Sequence, residues 1–476
     1  MPAAPLHLSP TVDLAGGFDA IRDELSISDG FAPEVEAEAA EAIRQGPSVP
    51  ATVDLRDVPF LTIDPPGSMD LDQALALSRT PRGYLVRYAI ADVAAYVRPG
   101  GALDAEARRR VVTIYLPDRR APLHPPSLSE GAASLLPEVD RQALVWSIEL
   151  DAVGAPLSTR IERATVRSRV RFTYAEVQAR LDAGTADEPL QLLREIGELR
   201  EAAEVARGGV SLPLPDQQVV EVDDRYHLEY RAPLAAEGWN AQLSLLTGLC
   251  AARLMIDHGV GVLRTLPSPT TDTISGLRLA ARGLGVDWPP SSTYPDLIRS
   301  LNPTIAAHAA LLTQAARLFR GAGYLPFDGA PPAGDEGLHA AVAAPYAHVT
   351  APLRRLIDRF GNAIVLAQCA GEDPPAWATE ALAELPALMD QGRRRENAAN
   401  GSALDLVEAA ILSARIGDEV EGVVTNAGKG RASIQVREPA VVASVDGDTL
   451  QPGDEVRLRV VAADVATRKV TFVVVS

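Results

Sequence analysis

The chain has 476 residues, 47% hydrophobic and 23% charged, with a net charge of -18. Single cores stop growing near about 250 to 300 residues, so two or three packed units are expected. No apolar run reaches the roughly 18 residues of a membrane helix, and the acidic balance excludes a protein that coats nucleic acid non-specifically through a broad basic surface. Lys429 and Lys469 are the only lysines, so almost all positive charge is arginine.

Residues 1–50 carry two helical patterns, Phe18 to Leu25 and Glu34 to Ile43, around the turn-like SDGFAP. They are read as a small helical segment, with a helix-turn-helix as one form it could take. No basic-then-apolar leader opens the chain, which reads as a cytoplasmic protein. Cys250 and Cys369 sit in apolar helical surroundings and read as reduced core thiols.

From residue 51 to 412, strand-like runs (VPFLTI, YLVRYAIADV, ALVWSIELDA) alternate with helical ones. Leu192, Ile196, Leu199 and Ala203 recur at helical spacing, Gln242 to Ile256 is apolar nearly all round, and another helix is expected from about Pro352 to Ala367. Residues 416–476 change to short β runs of Val, Ile and Thr punctuated by Gly and Asp, as in a five-stranded OB-type barrel. The fold class is α+β: a mixed α/β domain, a C-terminal barrel and a small helical N-terminal segment.

The most informative segment is FLTIDPPGSMDLDQALAL, residues 60–77. A strand ends at Asp64, a Pro-Pro-Gly turn follows, and Asp70 and Asp72 are expected to open the next strand on one face. Three carboxylates about 4 Å apart repel by about 4 kcal/mol per pair at an effective dielectric near 20, so a hard divalent cation is the simplest neutraliser. The bland alternative is turn chemistry, each Asp bonding local backbone amides.

This block resembles the signature of the ribonuclease II and ribonuclease R (RNB) family, and YAIADVAAYVRPGGALDAEARRRVVTIYLPDRRAPLHPPSLSEGAASLLPEVDRQALVWSIEL resembles the stretch that follows it there. YAHVTAPLRRLIDRF resembles a third motif of the family, with Ala351, Leu356 and Asn362 as departures. The resemblance spans residues 30–358 in order and implies a hydrolytic 3′-to-5′ exoribonuclease that releases 5′-nucleoside monophosphates from single-stranded RNA, working as a monomer with magnesium, or with manganese in its place.

By the same resemblance, Asp64, Asp70, Asp72 and Gln73 would hold the metal, with Gln73 standing where the family has a fourth aspartate. Asp72, Asp70 and Arg354 would be catalytic, Arg354 on the scissile phosphate. Tyr115 would stack on the 3′-terminal base. Arg355 and Glu396 would also touch RNA, and Lys429, Arg431 and Arg437, near the predicted strand and loop surfaces of the C-terminal barrel, are expected to supply phosphate contacts. A glutamine supplies no charge and cannot act as a base, which keeps open a catalytically impaired RNA-binding regulator as the alternative. The family's N-terminal cold-shock domains have no counterpart before residue 64, which implies tolerance of RNA with some duplex character.

Overall fold

The computed structural model describes residues 14–475 apart from 213–215, 223–224, 232, 304, 429, 437 and 447–448. Lys429 and Arg437 therefore lie outside the described residues. Among those described, no helix is long and apolar enough to cross a membrane.

The first helix, α1 (Leu14–Glu24), buries Leu14, Phe18 and Ile21, one face at helical spacing. It packs on the long helix α5 (Leu385–Ser413) so closely that a Cβ on Gly17 would lie 2.7 Å from a Leu406 methyl. The second, α2 (Pro33–Gln45), packs instead on the helix Ala102–Arg110. The two helices thus brace different parts of the main domain.

That domain is built on a sheet of β1 (Phe60–Asp64), β2 (Gln73–Thr80), β3 (Gly83–Ala91), β4 (Asp140–Asp151) and β5 (Pro156–Thr173). The strands follow in the order β5-β1-β2-β3-β4, and β4 pairs again with β5, so the sheet closes on itself. Closure needs the length of β5: its first half runs antiparallel to β4 and its last residues parallel to β1. Trp146 and Tyr88, both fully buried, are the largest side chains of this core.

Helix α3 (Ala235–His258) buries Trp239, Leu243, Leu246, Cys250 and Met255 and stops at Gly259, whose φ of 73° is the left-handed conformation glycine adopts without strain. The strand pair β6 (Val260–Thr265) and β7 (Gly323–Asp328) follows, antiparallel, with Arg264 directly opposite Tyr324. On α3, Gly248 lets residues 346–347 lie against the helix. Its carbonyl accepts from Ala347 N at 3.1 Å, and a Cβ there would meet the Tyr346 ring at 2.1 Å. This contact anchors the segment that leads to Arg354. The expected helix starts later than read: α4 spans Leu356–Ala370, so Arg354 and Arg355 precede it.

The C-terminal sheet has the order β10-β9-β8-β11-β12, from β8 (Glu419–Gly428), β9 (Arg431–Val436), β10 (Val441–Asp446), β11 (Glu455–Asp464) and β12 (Lys469–Val474). Its edge strands β10 and β12 lie side by side, so the sheet nearly closes into the expected barrel. An ion pair between Arg468 and Glu24 ties it to α1.

Candidate active site

Asp64 is the last residue of β1, and the turn at Pro65 to Gly67 carries the chain across to residues 68–72. Here the sequence expectation needs correction, because the next strand opens at Gln73 and not at Asp70. Ser134 and Leu135 hold the intervening loop: Leu71 N donates to Ser134 Oγ at 3.0 Å, and Leu71 O accepts from Leu135 N at 3.0 Å. Asp70 and Asp72 therefore do not share a strand face. Asp72 is 3% exposed, whereas Asp70 is only half-buried.

Each aspartate has a different set of partners. Asp72 accepts from Leu353 N at 2.7 Å and pairs with Arg354 Nε at 3.0 Å. Burial nevertheless raises its carboxyl to about 7, with the Asp358 and Asp70 charges acting in the same direction. Asp70 accepts from Arg120 at 3.1 Å and from the Tyr115 hydroxyl at 2.9 Å. Asp64 accepts no hydrogen bond from the described residues and feels Arg354 and Arg171 only through space. Burial, helped by the Asp70 charge, pushes it up to about 6.

Gln73 spans the site: its Oε1 accepts from the Tyr88 hydroxyl, and its Nε2 donates to the Thr350 carbonyl at 2.7 Å. A carboxylate could not make the second bond. Thr350 is fixed in turn by Ser244, 2.8 Å between hydroxyls. Asp358, at the start of α4, accepts from Ala351 N at 2.6 Å and pairs with Arg355 at 2.7 Å.

Two cavities meet at Arg354. One, of about 290 Å³, is lined by Tyr115, Arg264, Tyr324, Arg355, Arg393 and Glu396 among others. The other, of about 410 Å³, has Gln73, Tyr174, Glu237, Asn240 and Gln242 on its walls. Arg354 lines both, with 46% of its side chain open and only Nε engaged. Tyr115 is 45% exposed on the cavity wall, not a core tyrosine. Burial raises Glu396, against the pull of Arg355 and Arg354.

The fold thus gathers Asp64, Asp70, Asp72, Gln73, Tyr115, Arg354, Arg355 and Glu396 around one place. Arg431 stands apart on β9, exposed and paired at 3.6 Å with Asp446 of the neighbouring strand. Arg264, Tyr324 and His348 also belong to the cavity, and sequence reading missed them. The Arg264–Tyr324 pair forms only when β6 and β7, 60 residues apart at these positions, are aligned.

Among the described residues, no group of three or more His, Cys, Asp or Glu is arranged to hold a metal by itself. Magnesium usually takes only one or two carboxylates and completes its shell with water and substrate oxygens. Asp64, whose carboxylate has no hydrogen-bond donor among the described residues, and Asp72, paired with Arg354, are the carboxylates that could hold such an ion, with Asp70 pushing both upward.

Residues 52–367 match the family model for the RNB domain, and 418–475 match the model for the RNase II-type exonuclease C-terminal S1 domain. The chain belongs to the RNB family. Ribonuclease R of Escherichia coli K12 is 26% identical over 474 residues, and this RNB protein spans 57% of that relative's length while 89% of its own is matched. The RNB fold here superposes on Mycoplasma genitalium RNase R, solved with ribose-methylated single-stranded RNA and also with double-stranded RNA. The first complex gives a TM-score of 0.85 at 19% identity, covering 98% of this chain and 79% of that one. Yeast Ssd1, described as a pseudonuclease, shares the fold at a TM-score of 0.74 and 17% identity, over 94% of this chain and 58% of its own.

Proposed function

We propose that this RNB protein hydrolyses single-stranded RNA from the 3′ end and releases nucleoside 5′-monophosphates with magnesium as cofactor, manganese serving in its place. The observation that carries this reading is the Arg354–Asp72 pair at the junction of two cavities, one of them presenting Tyr115. A divalent ion held by Asp64 and Asp72, when bound, would polarise the phosphate and make water a better nucleophile.

The chain's own residues do the rest. The terminal nitrogens of Arg354 take the scissile phosphate and offset charge developing on its oxygens. Tyr115 stacks on the last base without regard to its identity, its hydroxyl steered by Asp70. Arg355 is held by Asp358 and braces the loop that presents Arg354, while Glu396 lines the same cavity. Gln73 acts as a strut between Tyr88 and Thr350. Arg431, with Lys429 and Arg437, adds phosphate contacts on the barrel. We extend the reading to partly duplex RNA with a 3′ tail.

Incubating the chain with 5′-labelled oligo(A), in magnesium or in EDTA, tests this directly. Stepwise shortening that needs the metal and is lost in Asp72→Asn is expected, as is shortening of a tailed hairpin. Binding without shortening favours the second reading, an RNA-binding regulator. The strut-like Gln73 and the fold shared with a pseudonuclease support that reading.

A further inference from the structure

Four arginines line the smaller cavity: Arg264, Arg354, Arg355 and Arg393. Three are balanced, Arg354 by Asp72, Arg355 by Asp358 and Arg393 by Asp390. Arg264 has no carboxylate partner among the described residues. Its contacts are the Gly323 carbonyl at 3.3 Å and the Tyr324 ring, 4.7 Å from guanidinium carbon to centroid. It is half-buried, and its charge helps burial to push both His339 and His348 down, so neither imidazole competes as a cation. Glu396, the remaining acid on the wall apart from Asp390, makes no ion pair with Arg264 among the described residues, and burial raises its carboxyl against the pull of Arg355 and Arg354. The cavity therefore presents one guanidinium, that of Arg264, with no carboxylate paired to it among the described residues.

Tyr324, opposite Arg264 across the strand pair, is fixed by a 2.8 Å hydrogen bond between its hydroxyl and His348 Nδ1. His348 is itself wedged edge-on between Tyr324 and Tyr346. A rigid aromatic backing for an unpaired guanidinium is a good arrangement for recognising phosphate, because the fork is preorganised and loses little freedom on binding. The volume, about 290 Å³, lies at the small-molecule end of ligand pockets.

We infer that Arg264, backed by Tyr324, seats the phosphomonoester dianion of a nucleotide in this cavity, apart from the phosphodiester assigned to Arg354. The inference rests on the proposed nuclease reading insofar as a nucleotide enters here. The dianion has two sources, a 3′-phosphorylated RNA end or the nucleoside 5′-monophosphate left by hydrolysis, whose phosphate is the former scissile group and moves from Arg354 to Arg264 once it is free.

Calorimetric titration of the full chain in EDTA with adenosine 5′-monophosphate and with adenosine tests the seat without any cleavage. The monophosphate is expected to bind the wild-type chain at least about tenfold more tightly than adenosine. Arg264→Gln should erase about tenfold or more of that advantage, the usual consequence of losing a hydrogen bond to a charged group. Arg264→Lys keeps the charge but not the stacked planar fork and should retain only part of the advantage, while adenosine is unaffected in both.

Equal binding of the two ligands by the wild-type chain overturns the inference. So does full monophosphate affinity in Arg264→Gln or in Arg264→Lys at an unchanged melting temperature. Competition by oligonucleotides ending in 3′-phosphate or 3′-hydroxyl separates the sources: an Arg264-dependent preference for the 3′-phosphate identifies the chain end, and its absence beside tight monophosphate binding identifies the released product. A chain that shows the Arg264-dependent preference yet leaves oligo(A) intact sinks the nuclease reading alone.

Discussion

Replacing Asp72 by Asn should make the metal-free protein more stable above neutral pH. In the folded chain this carboxyl titrates near about 7, against an ordinary value of 3.8, because burial disfavours its charged form. The folded state then holds the proton more tightly than the unfolded chain. In EDTA its contribution is fully present below pH 4 and is lost as pH rises to about 7. The gap between 3.8 and about 7, at about 1.4 kcal/mol per pH unit, sets a ceiling of about 4 kcal/mol. Asparagine cannot ionise, so Asp72→Asn escapes this loss. The attraction of Arg354, a partner 46% open to solvent, is already contained in that value of about 7, since its charge pulls the carboxyl down against burial. Urea unfolding in EDTA at pH 8 should therefore show the variant more stable by up to about 4 kcal/mol, and nearly equal to the wild type at pH 4. Asp64, raised to about 6, leaves a smaller pH dependence in both proteins. Identical stability profiles from pH 4 to 8 would refute the reasoning. The same variant should shorten RNA at least about 100-fold more slowly, as expected when a metal site loses an essential group.

Tyr115→Ala should weaken RNA binding by about 1 to 3 kcal/mol, whatever the terminal base, as read by titration of labelled oligonucleotides in EDTA. A loss that depends strongly on base identity would contradict simple stacking. Gln73→Asp should not raise activity or magnesium affinity. It sets an acceptor against the Thr350 carbonyl and should cost about 1 to 3 kcal/mol in urea unfolding at pH 8. A gain in magnesium affinity would show that this position ligates the ion. Gly248→Ala should destabilise by about 1 to 3 kcal/mol, since its Cβ would enter the Tyr346 ring and lie 2.5 Å from the Ala347 carbonyl. RNA shortening should fall with it, because that contact anchors the loop bearing Arg354.

The carboxylates crowded around a Pro-Pro-Gly turn stood out in the sequence as a local pattern, whereas Tyr115, Arg354 and Glu396 were singled out by the resemblance to the RNB family. Asp64, Asp72, Tyr115, Arg354 and Glu396 do surround one place, and the C-terminal β texture did become a nearly closed sheet. Val441–Asp446 there alternates buried and exposed residues throughout, the period that marks a half-buried strand. Strand boundaries failed where tertiary contacts outweighed propensity, as at residues 70–72, which Ser134 and Leu135 pin in a loop.

What the sequence by itself determined was which groups are available: how many acids, which arginines, where chain direction can reverse. Only the tertiary structure decided how their charges are shared, because burial and pairing depend on partners hundreds of residues away. It gave Arg354 to Asp72 and Tyr115 to Asp70, locked Gln73 to Thr350, and left Asp64 and Arg264 uncompensated on opposite sides of the charge balance. Desolvation makes those leftovers matter, since an unpaired charge in a recess is costly until a ligand of opposite sign arrives.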